Sequence, residues 1–372
     1  MRSNKKIIVI GGGLAGLTSA ILLQKGGFEV TLFEKRRYPF HRVCGEYISN
    51  EALPFLQSLQ IPFADLGPSS INRLSVTTER GKELVTNLPL GGFGLSRYKL
   101  DNLLFKYAKK LGVTFLFEKV IDIKFKDDTF EITAEKGKHY SCLAIAAHGK
   151  RSNLDQKLNR TFFYHRSPYL GVKYHIRTDL PDNLIRLDNF SGGYSGVCKI
   201  EDQKFNLCYL SRTSNLKEYS GISEMEENIL HRNPFLKHLF KNSEFITEKP
   251  EVINEISFEP KTLVENHLLF CGDSAGMITP LCGNGMAIAI HSAKMLAEII
   301  IRHAGGQNFN RTALEQDYIG RWSKEFMWRL RSGRVIQRLF GKPFLSEVAV
   351  AALNNLPALN QMIVKKTHGK VF

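Results

Sequence analysis

Apolar positions alternate between two periods along the first third of the chain. KIIVIG, ending at Gly11, is a short apolar run of the kind a strand buried on both faces shows. LAGLTSAILLQKGG then places apolar residues at helical spacing and stops at Gly26-Gly27, and FEVTLFEK is a second strand. Strand, turn, helix and strand follow within about 30 residues, which is a βαβ unit. The pattern predicts a helix over 46–59, strands at 71–78 and 83–88, and a helix over 97–112. VTFLFEKVIDIKFKDDTFEITAEKGKHYSCLAIAAHG alternates like a three-stranded meander returning to a buried strand. Residues 160–260 hold further strands, notably YLGVKYHI and KFNLCYLS, interrupted by a helical stretch near 222–240. HLLFCGD is again a short buried strand, 284–303 is a helix, and the remainder reads as helical. There are no internal repeats.

With 372 residues, 43% hydrophobic and 23% charged, the chain has ordinary globular composition and room for two domains, or one large domain with an insertion. No apolar run reaches the length of a membrane span, and the first run is too short for a secretion signal. Cys44, Cys142, Cys198, Cys208, Cys271 and Cys282 form no C-x-x-C pair and no zinc spacing, so they are expected to be reduced thiols in a cytoplasmic protein with no metal site. The net charge of +15 raises nucleic acid, an anionic membrane surface and a phosphorylated ligand as partners. No nucleic-acid-binding motif accompanies the charge, so nucleic acid is not expected. The basic excess is heaviest over 321–372, beside apolar stretches, where a solvated basic face and peripheral contact with a membrane are the two readings.

Gly11-x-Gly13-x-x-Gly16 directly follows a strand and opens a helix, and Glu34 ends the next strand. That context gives the dinucleotide fingerprint its meaning. Gly11 permits the tight turn, Gly13 lets backbone approach a pyrophosphate, and Gly16 lets helix and strand pack closely. Leu14 and Ala15 contribute to the free amides of the helix N-terminus, which suit phosphate. A carboxylate at Glu34 suits an unphosphorylated ribose, so FAD or NAD rather than NADP.

The second motif is GDSAGMITPLCGNGM, a strand ending in Gly272-Asp273, a loop through Pro280, and Gly283-Asn284-Gly285-Met286 starting a helix. It resembles the second FAD signature of the p-hydroxybenzoate hydroxylase-like flavoproteins. The resemblance implies that Asp273 bonds the ribityl chain of FAD, and that the amides of Gly285 and Met286 face the flavin. It further implies cofactor contacts at Lys35, Arg42 and Gly45, at Arg97 through an R-x-x-L-D-x-x-L helix, and at Val120 and Gly149.

RVCGEYIS is similar to the geranylgeranyl reductase branch, whose Cys-Gly pair lies near the flavin, so Cys44 is a candidate catalytic residue. NFSGGYSGVCKIE stands where those reductases carry an aromatic G-Y-x-W-x-F-P stretch. It lacks the Trp and the Phe-Pro and leaves Tyr194 as a second candidate. The W-x-W-x-I-P signature of flavin-dependent halogenases is absent. His148 stands where hydroxylases carry an acid.

The expected fold is α/β: a Rossmann-like FAD-binding domain of the p-hydroxybenzoate hydroxylase type, an inserted, mostly antiparallel β-sheet substrate domain, and C-terminal helices. The expected boundaries are 1–155 with 262–305 for the FAD domain, 156–261 for the substrate domain and 306–372 for the helices. The implied activity is an NAD(P)H-driven monooxygenase acting on an apolar aromatic or lipid-like substrate. The alternatives are a reductase of polyprenyl double bonds and a flavin-binding, membrane-associated protein without turnover.

Overall fold

The computed structural model describes residues 6–165, 167–254, 256–277, 283–305, 309–337, 340–356, 360 and 369–372. A six-stranded sheet forms the base. Its order is Val264–Glu265, Leu268–Phe270, Leu143–Ala146, Lys6–Ile10, Glu29–Phe33, Thr114–Leu116. Every pairing is parallel except that of the edge strand Val264–Glu265. Ile7, Ile8 and Val9 are fully buried, as a strand covered on both faces requires. The helix Leu14–Lys25 packs against Gly285–Ala304 and Arg97–Lys110, and one continuous core fills the space between helices and sheet. The meander forms its own antiparallel sheet, Val120–Lys126, Thr129–Ala134 and Gly137–Ser141, and the chain then returns to the base at Leu143–Ala146.

A nine-stranded sheet stands against this base and is here called the roof. It runs Glu244–Phe245, Tyr169–Arg177, Phe205–Arg212, Gly193–Lys199, Leu184–Phe190, Ser69–Thr77, Glu83–Gly94, Tyr47–Ser49, with Glu251–Asn254 also pairing with Tyr169–Arg177. The roof is therefore not confined to 156–261. Three of its strands come from residues 47–94, and Leu184–Phe190 pairs in parallel with Ser69–Thr77 to join the two contributions.

Two helices differ from expectation for local reasons. The stretch 46–59 begins as a strand, because Tyr47–Ser49 pairs with Gly92–Gly94. Its helix spans only Leu53–Ser58, with Pro54 in the first turn, where a missing N–H costs nothing. The helical stretch near 222–240 is divided into Ile222–Asn228 and Pro234–Asn242. The Asn233 side chain caps the second helix by accepting from the amides of Phe235 and Leu236, and Pro234 cannot continue a preceding helix.

Candidate functional site

The fingerprint glycines are demanded by close approach. Gly11 has φ +102°, and a Cβ there would strike the carbonyl of Ala147; one at Gly16 would strike the carbonyl of Gly11. The helix Leu14–Lys25 starts at Gly13 with no side-chain cap, so its first-turn amides, at Leu14, Ala15 and Gly16, have no intrahelical acceptor and no capping oxygen. A chain end of this kind is built to receive an anion.

Glu34 is 6% exposed. Its Oε2 accepts from the Gly12 amide at 3.0 Å and from Arg42 Nη2 at 3.1 Å, and its Oε1 accepts from the Arg36 amide at 3.1 Å. The Arg97 guanidinium forms a bidentate pair with Asp101, at 2.7 and 2.8 Å, and Arg42 Nε lies 3.3 Å from the same carboxylate. Arg97 also reaches within 3.6 Å of the point a Cβ on Gly13 would occupy. Burial alone would lower the pKa of Arg97, but the Asp101 carboxylate outweighs it and holds the guanidinium charged. Tyr38 stacks on Phe105 at 4.5 Å between ring centroids and donates its hydroxyl to the Gly12 carbonyl. Two arginines, a buried ribose-type carboxylate and a helix N-terminus thus converge on one glycine turn.

The second motif lies directly against the first. Gly272 has φ +64°, and a Cβ there would come within 2.7 Å of the Ala15 Cβ. The Ser274 hydroxyl is 2.6 Å from the carbonyls of both Ala146 and Cys271, and the Gly272 amide donates to Ser292 Oγ at 3.2 Å. Asp273 sits half-buried at this junction. Beyond the loop, Gly283 has φ +63° and lies against the Tyr47 ring; Asn284 is fully buried at the N-cap of Gly285–Ala304, and Met286 is buried in the first turn. Pro280 lies outside the described residues.

Polar side chains that sequence reasoning passed over hold the Gly272–Asp273 turn. Arg160 is 2% exposed, lies 3.7 Å from the Phe270 ring centroid, and donates to Asp155, to the Ser274 carbonyl and to the Thr262 carbonyl. Lys261 donates to the carbonyls of Asp273 and Lys150, at 2.8 and 2.7 Å, and burial pulls its pKa down to about 8. His148 is bound to Asp155 at 3.0 Å, so the histidine that replaces the family's acid is engaged in this support. A single arginine or lysine between strands carries no periodic signal, so no pattern marks these residues in advance.

The remaining expected residues are dispersed around this centre. Gly149 has φ +91° in the turn after Leu143–Ala146. Lys35 and Gly45 are exposed, and the Gly45 carbonyl accepts from the Cys198 thiol. Val120 is buried at the start of the meander. Cys44 is half-buried beside Arg97. Tyr194 is buried in the roof and lines a cavity of about 20 Å³ with Tyr169, Leu210, Arg212 and Phe340. Its ring meets Phe340 edge-on at 5.7 Å.

Residues 9–46 match the NAD(P)-binding Rossmann-like domain. The chain is 25% identical to tryptophan 2-halogenase of Chondromyces crocatus, covering 86% of this chain and 67% of that one. It is 24% identical to digeranylgeranylglycerophospholipid reductase 2 of Methanothermobacter thermautotrophicus, over 89% of this chain and 85% of the reductase. It is also 24% identical to YetM of Bacillus subtilis, provisionally named an FAD-dependent monooxygenase, over 92% and 96% of the two chains. Among solved structures, the flavin-dependent brominase Bmp2 superposes with a TM-score of 0.80 at 19% identity, covering 98% of this chain and 94% of the brominase. The chain belongs with the flavin-dependent oxidoreductases.

The site of this oxidoreductase fits FAD on its own geometry. The glycine turn leaves backbone bare where a pyrophosphate needs close approach, Glu34 is held beside that turn, and the half-buried Asp273 lies at the second glycine turn packed against it. No helix among the described residues is long and apolar enough to cross a membrane.

Proposed function

We propose that the oxidoreductase is a monooxygenase that takes electrons from NAD(P)H and hydroxylates an apolar aromatic or lipid-tailed substrate under the roof. The observation that carries this reading is the cluster of Tyr194, Leu210, Ile256 and Met277, with Tyr169, Phe258 and Phe340 packed on it. Met277 follows Asp273 on the same loop, so the apolar cluster is continuous with the cofactor motif. FAD bound at that motif would supply the redox chemistry. The protein's own part is to bind and orient. Asp273 and the first-turn amides of Gly285–Ala304 hold the cofactor, and the aromatic cluster excludes water from the reacting end. The cavity as it stands is water-sized, with Phe340 in its wall, so an apolar ring needs its lining to move apart.

Reduction of polyprenyl double bonds is favoured by one specific feature, the half-buried Cys44 beside Arg97. Halogenation is supported by the halogenase and brominase likenesses. Against it, Trp322 packs behind Gly276 and Trp328 faces solvent, so neither stands in for the missing tryptophan motif.

Incubating the FAD-loaded protein with NAD(P)H, oxygen, bromide, a panel of apolar phenols and a polyprenyl lipid separates these readings by product mass. Gain of one oxygen supports hydroxylation, exchange of hydrogen for bromine overturns it in favour of halogenation, and gain of two hydrogens by a polyprenyl lipid without oxygen favours the reductase. Oxidation of NAD(P)H with none of these products sinks all three.

The C-terminal helices support peripheral contact with an anionic bilayer. Arg311–Gln337 exposes Trp328 and Val335 near Lys324 and Arg331, and Pro343–Asn355 exposes Phe344 and Val348. Sedimentation with phosphatidylserine vesicles, but not with neutral ones, is the expected result.

A further inference from the structure

We propose that Lys173 and Glu46 are positioning residues of the cofactor site: a buried ion pair through which the roof sets both arginines of the fingerprint. The inference rests on the reading that FAD binds at that fingerprint. On the strand Tyr169–Arg177, Leu170, Val172, Tyr174 and Ile176 pack into the outer core of the roof. Strand alternation therefore turns Lys173 and His175 to the opposite face, toward the base. Lys173 is 2% exposed and Glu46 is fully buried.

The pair makes contacts that plain packing would not need. Lys173 Nζ donates to Glu46 Oε1 at 2.6 Å and to the backbone carbonyl of Arg42 at 3.2 Å. The same Oε1 accepts the backbone amide of Arg97 at 2.8 Å, and His175 Nε2 lies 2.7 Å from Oε2. Arg42 is the residue whose side chain holds Glu34, and Arg97 is the residue whose side chain reaches the Gly13 turn. Two arginines from separate segments are thus fixed at their backbones by one ion pair, half of which belongs to the roof. Glu46 itself has φ +54°, a conformation a glutamate keeps only when its surroundings hold it there.

A buried ion pair is poor evidence of a stability role, since an apolar pair of similar volume is often as stable or more so. What this pair adds is direction. It joins the roof to both arginines at once, whereas Glu201 after Gly193–Lys199 reaches only the Arg97 helix, through the Ser96 amide, and two elements so joined share a coupling free energy.

The decisive variant is the double substitution K173M/E46Q, which leaves no unpaired buried charge. FAD is titrated into the apoprotein and followed by quenching of flavin fluorescence. The double variant is expected to fold and to bind FAD about tenfold more weakly than the native chain. In an R42A/R97A background the same double substitution is expected to add less than about twofold, because the residues through which it acts are gone. FAD affinity equal to native, or an undiminished penalty in the arginine-free background, overturns the proposal. If the double variant fails to fold, K173R decides, since it keeps the charge and alters the geometry. Weaker FAD binding at an unchanged melting temperature supports positioning, and unchanged binding overturns it. Failure of the native chain to bind FAD would instead sink the cofactor reading, and the titration shows that separately.

Discussion

Replacing Glu226 with glutamine should stabilise the roof progressively as pH rises. The Glu226 carboxyl is 5% exposed and lies under the outer face of the roof, where Oε1 accepts from the hydroxyls of Tyr174 at 2.9 Å and Tyr209 at 2.7 Å. Burial raises its pKa from 4.5 to about 7, against the opposing effect of the two hydroxyls. The folded state therefore binds a proton more tightly than the unfolded chain does. Its contribution is complete below pH 4.5 and is lost as pH rises through about 7. The interval from 4.5 to 7 is 2.5 units, which at about 1.4 kcal/mol per unit amounts to roughly 3 kcal/mol. Glutamine has the same shape, keeps an acceptor for both tyrosines and never ionises. Urea unfolding of native and E226Q proteins across pH isolates this group, because every other titration cancels in the difference. The two should match near pH 4.5, and E226Q should lead by about 3 kcal/mol at about pH 8.5. A difference that stays flat across that range refutes the reasoning. Tyr174 stands between Lys173 and His175 on one strand, so ionising Glu226 loosens the back of the element that carries the ion pair.

Three further outcomes are expected. D273A should purify without bound flavin while keeping its fold, checked by the flavin absorbance of the protein and its circular dichroism; a fully yellow variant refutes the role given to Asp273. G272A forces a side chain into a left-handed conformation 2.7 Å from Ala15, so unfolding should become easier by about 1–3 kcal/mol and flavin should bind more weakly. R160M removes one partner of Asp155, which keeps His148 and the Ser152 amide, and leaves the carbonyls of Ser274 and Thr262 without their guanidinium donor, so it should cost about 1–3 kcal/mol in denaturant unfolding.

The cofactor end of the fold can be read from the chain because its signals are local. The glycine turn, the following helix and Glu34 lie within one βαβ unit, and each feature has a single physical cause. The approach of Gly272 to Ala15 joins two motifs far apart in sequence, yet each is a bare backbone stretch that a family resemblance can place. The roof is different. Alternation in 69–94 marks strands but does not say which sheet receives them, and their partner Leu184–Phe190 lies about a hundred residues away. YLGVKYHI did hold a usable sign, since its lysine and histidine share one face of a strand whose other face carries Leu170, Val172, Tyr174 and Ile176. Nothing in sequence shows that their partner is Glu46, because that pairing depends on a left-handed turn at a residue type that rarely adopts one. Arg160 and Lys261 are invisible for the same reason, being single charges whose meaning lies in the carbonyls they meet.

The two-part origin of the roof bears on how such enzymes can be recombined. Ser69–Thr77 and Glu83–Gly94 leave the chain before the meander, and Tyr169–Arg177 through Phe205–Arg212 return after it, with one parallel seam between them. The roof therefore does not travel as a cassette. A chimera that imports only 156–261 from a relative sets a foreign Leu184–Phe190 beside the resident Ser69–Thr77 and severs Lys173 from the Glu46 it matches. Grafting a foreign roof onto this base means moving both pieces together, with the turn at Glu46 as the third element to carry across.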